Sequence, residues 1–307
     1  DITDLDLLKK TFDEVQPEIV IHMAAQPIVR ESYINPVGTY ASNVMGTVNI
    51  LECVRLNPCV KSFVNVTTDK VYLNREWSWG YRENEELNGY DPYSNSKSCS
   101  ELVTYSYKNA FFGGETGERA DKTGTVAITT MRAGNVIGGG DFAKDRIIPD
   151  CIRAVEKGEV IGIRNPYSTR PYQHVLEPVM AYLMVAKAQY EDISKAGNYN
   201  IGPDDCDCFT TGNIVELFCN KWNDMNQTKA ASWKNMAEEN APHEANFLKL
   251  DCSKIKATFG WKPVWNLDTV IEKIAEWNMV YFANKDSDIL SEKISECMEK
   301  QIKEYMK

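Results

Sequence analysis

The sequence lacks the features that direct a chain into or across a membrane. No apolar run approaches the roughly eighteen residues of a membrane span, and the first ten residues, DITDLDLLKK, have neither the basic region nor the apolar core of a secretory signal. The nine cysteines are odd in number and show no CxxC spacing. We therefore expect reduced thiols in a cytoplasmic protein, without a disulfide framework or a metal site.

Net positive charge is also missing, since the formal net charge is −10 at pH 7. An acidic chain has no general attraction for nucleic acid, although it can hold a local basic pocket for a phosphorylated ligand. With 307 residues and 43% hydrophobic content, the chain can bury a large core in one large domain or two ordinary ones. We expect a globular protein that binds neither nucleic acid nor membrane.

Short apolar runs alternate with helical patterns in the first half of the chain. The run 18–25, EIVIHMAA, predicts a strand buried on both faces, and 62–66 and 125–131 predict two further strands. Helices are predicted over 36–55 and 92–112. This order predicts an α/β fold of the doubly wound, Rossmann-like class with a parallel sheet.

Beyond residue 141 the alternation becomes irregular. The helices predicted there cover 147–157, 177–191, 211–223, 267–284 and an amphipathic stretch within 286–307. We expect 1–141 to form part of a dinucleotide-binding domain and 142–307 mainly a smaller substrate-binding cap, with some strands and helices returning to the first domain. The polar run 113–124 predicts a surface loop.

The glycine-rich opening of a nucleotide-binding domain is absent from the sequence. Such a domain normally begins with a strand, a glycine-rich turn and a helix, because the dinucleotide pyrophosphate binds at the helix N-terminus. No GxGxxG or GxxGxxG motif precedes residue 60, and a helical pattern begins near residue 5. The expectation is a sheet that lacks its first two or three strands.

A Tyr and a Lys four residues apart are the first candidates for chemistry. Tyr93 and Lys97 follow a helix start signal and share one helix face, so both can reach the same ligand. A nearby ammonium lowers the tyrosine pKa from about 10, which makes Tyr93 a candidate base toward a sugar hydroxyl. Spacing alone is not specific, because Tyr281 and Lys285 share it.

A cluster of hydroxyl and acidic residues at a predicted strand end precedes Tyr93 and distinguishes it from Tyr281. The cluster is TTDK at 67–70, and AAQ at 24–26 follows another predicted strand in the same way. An ordinary strand end and turn is the alternative, since Thr and Asp often bond locally to backbone. Open parallel sheets bind ligands at the carboxyl ends of strands, so we expect the two segments to meet at one crevice.

Seven segments spread over the chain carry more specific motifs. They are HMAAQPIVRESY (22–33), NVMGTVNILE (43–52), VTTDKVY (66–72), NREWSWGYRENE (74–85), DPYSNSK (91–97), RAGNVIGGGD (132–141) and RPYQHVLEP (170–178). Together they resemble the CDP-glucose 4,6-dehydratases, a family of the extended short-chain dehydrogenase/reductase superfamily. YxxxK and NVxGT indicate only the superfamily, whereas NREWxWGYRENE, RPxQHVLEP and the Lys of TTDK select the family. In related dTDP-glucose and GDP-mannose dehydratases the position after the acid, or the acid itself, is typically Glu, so Lys70 is the informative departure.

The resemblance implies a redox-neutral dehydration of CDP-glucose with NAD as cofactor. NAD+ would take hydride from glucose C4, water would leave across C5–C6, and the same cofactor would return hydride to C6, giving CDP-4-dehydro-6-deoxyglucose. By matched position, the catalytic residues are Thr68 at the C4 oxygen, Asp69 as acid at the C6 hydroxyl, Lys70 as base at C5, Tyr93 as base at the C4 hydroxyl, and Lys97 beside Tyr93.

Binding residues also follow from the resemblance. Those expected to contact NAD are Asp1, Ile2, Ala24, Ala25, Gln26, Asn43, Thr67, Tyr93 and Lys97. Those expected to bind the sugar nucleotide are Gln26, Thr68, Asn135, Arg146 and Arg170. The two arginines suit a diphosphate because guanidinium binds it bidentately. A Tyr, at 172, stands where the family commonly has Trp, and a homo-oligomer is expected.

Three alternatives remain open. A nucleotide-sugar 4-epimerase on the same scaffold would share Tyr93 and Lys97 but would not need an acid–base pair at C5 and C6. Another nucleotide-sugar dehydratase of the superfamily would differ in its nucleotide. A chain without the pyrophosphate loop could also be an inactive fragment that does not retain NAD. The pair Asp69 and Lys70 favours a dehydratase over an epimerase.

Overall fold

The computed structural model describes residues 1–226, 230–237 and 247–307. The chain forms two compact units. The first consists of Asp1–Gly134, Val179–Ile201 and Leu250–Trp261, and the second of Asn135–Pro178, Gly202–Lys249 and Lys262–Lys307. Neither unit is a continuous stretch of sequence, because the chain passes repeatedly from one to the other. That the first binds a dinucleotide and the second a substrate stays a prediction.

The helices occur in both units. In chain order they are α1 (Leu5–Val15), α2 (Val29–Ile34), α3 (Pro36–Tyr40), α4 (Gly46–Leu56), α5 (Pro92–Phe111), α6 (Ile147–Lys157), α7 (Leu176–Glu191), α8 (Thr211–Met225), α9 (Ser253–Phe259), α10 (Leu267–Asn284) and α11 (Leu290–Tyr305). A π-helical segment, Ala41–Met45, joins α3 to α4. No helix with the length and apolarity of a membrane span occurs among the described residues.

The strands are short outside the main sheet. In chain order they are β1 (Ile19–His22), β2 (Ser62–Thr68), β3 (Ala127–Ala133), β4 (Val136–Ile137), β5 (Ile161–Ile163), β6 (Thr169–Arg170), β7 (Gln173–His174), β8 (Asn198–Ile201), β9 (Phe209–Thr210) and β10 (Trp233–Asn235). A single 3₁₀ turn, Asp69–Val71, follows β2 directly.

A parallel sheet of four strands, in the order β1-β2-β3-β8, organises the first unit. β2 and β3 pair over their whole length, from Ser62 opposite Ala127 to Thr68 opposite Ala133. All of β3 and nearly all of β2 is buried, as expected where helices cover both faces of a parallel sheet. The carboxyl ends of β1, β2 and β3 therefore lie at one edge of this sheet.

The strand β1 differs from its prediction. The apolar run 18–25 predicts a strand buried on both faces, but β1 ends at His22 and the side chain of Ile19 is 42% exposed. Within the described sheet β1 pairs only with β2, so one of its edges has no neighbouring strand there. The prediction of full burial is wrong for this strand. An apolar run indicates that residues are hydrophobic, but it does not show how many strands and helices cover them.

The polar run 113–124 forms turns, as predicted, but it is not simply a surface loop. Its Arg119 is buried, and the guanidinium donates hydrogen bonds to the backbone oxygens of Val54 (2.9 Å), Asn57 (3.0 Å) and Val60 (2.7 Å). These oxygens lie at and just beyond the C-terminus of α4, where helical carbonyls have no intrahelical partner. Arg119 therefore closes the end of α4 from a distant segment.

The second unit has its own hydrophobic core. It includes Ile148 and Val155 of α6, Phe218 and Trp222 of α8, and Ile271 of α10. The amphipathic stretch predicted within 286–307 forms α11, which is fastened by a hydrogen bond from the Tyr305 hydroxyl to Glu177 (2.7 Å). This unit combines a helical core with the two- and three-residue strands.

Candidate active site

The TTDK segment forms the end of β2 and the 3₁₀ turn that follows it. The Thr68 hydroxyl donates to Asp69 Oδ1 (2.9 Å), and the Lys70 backbone N–H lies 3.4 Å from the same hydroxyl oxygen. Asp69 is only 1% exposed, whereas Lys70 is half-buried. The turn thus holds a hydroxyl, a carboxyl group and an amine on consecutive residues at the carboxyl end of a central strand.

Helix α5 begins beside this turn. Asp91 caps it by accepting a hydrogen bond from the Ser94 backbone N–H (3.0 Å), and Pro92 occupies the first helical position, where its missing N–H has no cost. The Lys97 ammonium donates to the Val66 carbonyl of β2 (2.9 Å), and the Ser98 hydroxyl donates to the Val71 carbonyl (2.7 Å). These two bonds fasten α5 on both sides of the Thr67–Lys70 segment.

The predicted pair on α5 has an unusual electrostatic environment. Lys97 is buried, and burial lowers its pKa to about 8 while the Glu101 carboxylate opposes that shift. Tyr93 is half-buried, one helical turn before Lys97. Burial, and then the proximity of Tyr93, raises the pKa of the Tyr182 phenol on α7, so Tyr182 stays neutral beside Tyr93. Tyr182 is a neighbour that sequence patterns did not identify.

The segment after β1 is tied to the same helix. The Asn43 side chain accepts from the Gln26 backbone N–H (2.7 Å) and donates to the Gln26 carbonyl (3.0 Å) and to the Ser96 hydroxyl (2.9 Å). The Gln26 side chain donates to the Thr39 hydroxyl (2.8 Å). Asn43 lies in the π-helical segment, a deviation that is frequent at functional sites. Asn43 therefore links α5 to the loop that contains Ala25 and Gln26.

A row of small polar side chains packs α5 against α4 and the sheet. Thr47 contacts both the His22 ring (3.2 Å) and the Ser100 hydroxyl (2.9 Å), and Asn65 donates to Ser100 (3.0 Å) and Thr104 (2.8 Å). Burial, and then the nearby Lys97 charge, lowers the pKa of His22 to about 4. The inner face of α5 is therefore polar, and hydrogen bonds join it to α4 and to the sheet.

A buried ion pair between Glu101 and Arg132 is the largest feature that sequence reasoning missed. The guanidinium binds the carboxylate bidentately, with two distances of 2.9 Å, and Glu101 also accepts from the hydroxyls of Thr67 and Thr130. Burial would raise the pKa of Glu101, but Arg132 and these hydroxyls outweigh it and hold the pKa below its usual range. The only signal in the sequence was an acid four residues after Lys97.

The remaining predicted cofactor residues lie in the first unit, and all of them except the buried Thr67 are half-buried or exposed. The Asp1 carboxylate accepts from the Thr3 backbone N–H (2.8 Å), and the Ile2 side chain lies against Gly46. Ala24 is exposed and Ala25 is half-buried. The Thr67 hydroxyl is engaged by Glu101. Contacts of all these residues with a cofactor stay predictions.

The predicted diphosphate residues belong to the second unit. Asn135 precedes β4, and its carbonyl accepts from the Gln173 N–H (2.9 Å). Arg146 pairs with Asp141 (3.0 Å) at the start of α6. Arg170 is buried in β6, and its guanidinium donates to the Thr169 carbonyl (2.9 Å). Tyr172 is also buried. Their role toward a nucleotide stays a prediction.

The sheet is Rossmann-like, and its strand β2 leads into the Thr-Asp-Lys segment beside a helix that carries Tyr and Lys one turn apart. This arrangement defines a class of nucleotide-sugar-modifying proteins in the short-chain dehydrogenase/reductase superfamily. Residues 1–274 match the model of the family described as GDP-mannose 4,6 dehydratase, and the chain belongs to this family. It is 47% identical over 307 residues to a CDP-glucose 4,6-dehydratase of Salmonella typhimurium. The aligned region covers 100% of this chain and 81% of that protein.

Solved structures agree on the fold. A UDP-glucose 4-epimerase of Thermus thermophilus in complex with NAD is 22% identical, with a TM-score of 0.75, and the match covers 91% of this chain and 83% of that one. A dTDP-glucose 4,6-dehydratase of Bacillus anthracis in complex with NAD is 20% identical, with a TM-score of 0.70 and coverages of 94% and 81%. The predicted Rossmann-like α/β fold is confirmed.

Proposed function

We propose that this chain dehydrates CDP-glucose to CDP-4-dehydro-6-deoxyglucose with NAD as cofactor. The observation that carries the proposal is the TTDK turn, which places a hydroxyl, a buried carboxyl group and an amine on consecutive residues beside the Tyr–Lys helix. The 47% identity to a protein named CDP-glucose 4,6-dehydratase supports the choice of nucleotide and sugar.

The first unit fits a nicotinamide cofactor. Parallel sheets bind nucleotides at the carboxyl ends of their strands, and Lys97 brings a buried amine there, fastened to Val66. An ammonium and a phenol suit ribose hydroxyls, so Lys97 and Tyr93 would hold the nicotinamide ribose, with Ala24, Ala25, Gln26, Thr67, Asp1 and Ile2 along the rest of the cofactor. When bound, NAD+ accepts a hydride from C4 and later supplies it to C6. Asn43, whose side chain forms hydrogen bonds with Gln26 and Ser96, would position the segment of residues 24–26 that lies along the cofactor.

Oxidation at C4 requires removal of the hydroxyl proton. Tyr93 would take that proton as phenolate, and the Lys97 ammonium on the next turn favours the phenolate because opposite charges stabilise each other. The Thr68 hydroxyl would bond the C4 oxygen. In the structure this hydroxyl donates to Asp69, so its proton would turn from Asp69 to the C4 oxygen when the sugar binds. The resulting C4 ketone makes the proton on C5 acidic.

Elimination requires a base at C5 and an acid at C6. Lys70, as the free amine, would take the C5 proton, and Asp69, as the carboxylic acid, would give a proton to the departing C6 hydroxyl, so that water leaves. Lys70 would then return its proton to C5 when C6 is reduced. The protons gained by Tyr93 and lost by Asp69 balance through solvent, and the net products are the 4-keto-6-deoxy sugar and one water.

Substrate binding would also require groups that bind the diphosphate. Arg146 and Arg170 would bind it, because guanidinium offers paired donors, and Asn135 would contribute an amide. Gln26 would contact the sugar. Competition between CDP-glucose and the corresponding dTDP-, UDP- and GDP-sugars tests the nucleotide preference, with CDP-glucose expected to bind most tightly.

The decisive experiment incubates the protein with CDP-glucose and NAD+ and follows the sugar nucleotide by mass spectrometry. Loss of one water, together with the alkaline absorbance of a 4-keto sugar, is expected. A CDP-hexose of unchanged mass but inverted C4 would identify an epimerase instead. If the protein binds CDP-glucose and NAD+ and neither product forms, the proposal is wrong.

We also propose that the protein is a cytoplasmic homo-oligomer. None of the nine cysteines, all of which lie in the described part of the chain, forms a disulfide, which suits a reducing compartment. Large apolar side chains that remain exposed in the first unit support self-association; they include Tyr33, Ile34, Val37, Leu102 and Tyr105. Sedimentation velocity should give a particle larger than the 34.8 kDa chain.

A further inference from the structure

Glu101 occupies a special place relative to the proposed catalytic residues. It follows Lys97 by four residues on α5, and Lys97 follows Tyr93 by four, so the three side chains lie on one helix face in successive turns. Glu101 is 3% exposed, and its carboxylate receives four hydrogen bonds, two from Arg132 and one each from Thr67 and Thr130. A buried carboxylate so fully satisfied has a fixed position.

Glu101 and Lys97 form hydrogen bonds with adjacent residues of β2. Lys97 donates to the carbonyl of Val66, and Glu101 accepts from the hydroxyl of Thr67, the residue before Thr68. Two successive turns of α5 are therefore bonded in register to two successive residues of the strand that carries the proposed acid and base. A shift of α5 along β2 would break both bonds together.

Arg132 connects the ion pair to a third segment. Besides Glu101, it donates to the Tyr72 hydroxyl (2.8 Å) and to the Glu83 carbonyl (2.9 Å), and the Tyr72 hydroxyl donates to Asn200 on β8 (2.6 Å). Glu83 lies in the NREWSWGYRENE run. The pair thus joins α5, β3 and β8 to the loop between the acid–base turn and the Tyr–Lys helix.

The charge of Glu101 acts on Lys97 as well. Two titratable groups interact electrostatically with Lys97: Glu101 on the next turn of α5 and His22 on β1, whose pKa the Lys97 charge helps to lower. The other titratable or charged groups on segments that contact α5 include Asp69 and Lys70 after β2 and Arg132 on β3. Burial lowers the Lys97 pKa to about 8, and Glu101 is the group that opposes this decrease. The charge that would stabilise a Tyr93 phenolate therefore depends on Glu101.

We propose that Glu101 is a positioning residue of the site: held by Arg132, its carboxylate fixes Thr67 and the end of β2 against α5 and supplies the negative charge that keeps Lys97 an ammonium. The inference rests on the proposed function for its catalytic consequence. Its electrostatic part concerns this chain's own residues and is measurable without substrate or cofactor.

The first test is the titration of Lys97 by NMR on protein labelled in the lysine side chains. The Lys97 signal is identified by its loss in Lys97→Arg. In Glu101→Gln its midpoint should move to lower pH, whereas Glu52→Gln, which removes a carboxylate paired with Arg55 on the surface of α4, should leave it in place. An unmoved Lys97 midpoint in folded Glu101→Gln overturns the proposal.

The second test is the pH profile of dehydration. If the Lys97 midpoint falls from about 8 by one pH unit, the activity ratio between pH 8 and pH 6.5 should fall about fourfold relative to wild type, because a smaller fraction of Lys97 is charged at pH 8. A residue that acts only on stability would lower activity equally at both pH values. Such a uniform loss, with an unmoved Lys97 signal, overturns the proposal.

Two further variants keep the test decisive. If Glu101→Gln does not fold, the double variant Glu101→Gln/Arg132→Met removes both buried charges, a change that proteins often tolerate. It should still move the Lys97 midpoint to lower pH, because Glu101 and not Arg132 is the charged group that acts on the Lys97 pKa. Glu101→Asp keeps the charge but is too short for all four bonds, so it should retain the Lys97 midpoint and lose turnover. If wild type forms no product yet Lys97 shifts as expected, the proposed function fails and the electrostatic role stands.

Discussion

Replacing Arg119 with Met should destabilise the first unit far more than its place in a polar loop suggests. The guanidinium is 2% exposed and donates to carbonyls of Val54, Asn57 and Val60, with a longer contact to Arg55 (3.4 Å). Met preserves much of the apolar stem but offers no donor, and it removes the guanidinium that lies over the Phe112 ring (5.6 Å). In the variant the Val54 and Val60 carbonyls lose the donor that Arg119 supplies.

The magnitude follows from the groups left unsatisfied. Each buried carbonyl that loses its partner costs about 1–3 kcal/mol, and this cost applies to the Val54 and Val60 carbonyls, because the Asn57 carbonyl also accepts from the Val60 N–H (3.2 Å). Relief of the desolvation of a buried guanidinium offsets part of this cost. We expect the free energy of unfolding of the first unit to fall by about 2–4 kcal/mol, a large share of the usual 5–15 kcal/mol of a domain.

The assay is urea unfolding combined with amide hydrogen exchange read by mass spectrometry. Peptides that cover α4 and its C-terminus should exchange much faster in Arg119→Met, while those of α8 and α10 in the second unit should not change. The matched control is Arg55→Met, which removes a partly exposed ion pair with Glu52 and should cost about 1 kcal/mol or less. An Arg119→Met protein within 1 kcal/mol of wild type would refute the reasoning.

Three further predictions concern the site. Tyr93→Phe should lower turnover ~10²–10⁴-fold and leave CDP-glucose binding within a few-fold, whereas Tyr281→Phe, at the same Tyr–Lys spacing on α10, should be silent; unchanged turnover in Tyr93→Phe would remove it from the mechanism. Asp69→Asn should permit C4 oxidation and stall elimination, so reduced-cofactor absorbance should accumulate, and normal product formation without it would exclude that role. His22 is neutral in the fold with a pKa of about 4, so the unfolding free energy should decrease as pH falls from 6.5 to 4, by about 3 kcal/mol for this residue. In His22→Gln the decrease should be smaller, and an identical pH dependence in the variant would show that His22 does not cause it.

Helix α5 shows what sequence patterns could and could not predict. Its start was clear from Asp91 and Pro92, whose capping roles depend only on local geometry. Its buried face was not, because Ser96, Ser100 and Thr104 give no hydrophobic periodicity, and their burial is possible only where α4 and β2 supply partners. Local signals predicted the element, and the packing determined its inner face.

Buried charges were the least predictable part of the molecule. Arg132 lies beyond the predicted strand 125–131, yet β3 continues through it because Glu101 neutralises its charge. Arg119 was assigned to a surface loop because the run 113–124 is polar, whereas its charge is buried against the carbonyls that follow α4. In both cases the partner is distant in sequence, so no window of neighbouring residues contains the information. The catalytic candidates Thr68, Asp69, Tyr93 and Lys97 lie in short motifs and could be named from the sequence, but their roles stay predictions.

The strand β8 constrains how the chain becomes folded during its synthesis. β3 pairs in parallel with β8, whose first residue, Asn198, is opposite Thr130, and the first unit is complete only with Leu250–Trp261. A ribosome must therefore synthesise the segments 135–178 and 202–249 of the second unit before the last segment of the first unit emerges. The outer edge of β3 exposes unpaired backbone groups, which are sites of mispairing, until β8 has been synthesised after the segment 135–178. No single cut in the chain can separate the two units into intact pieces.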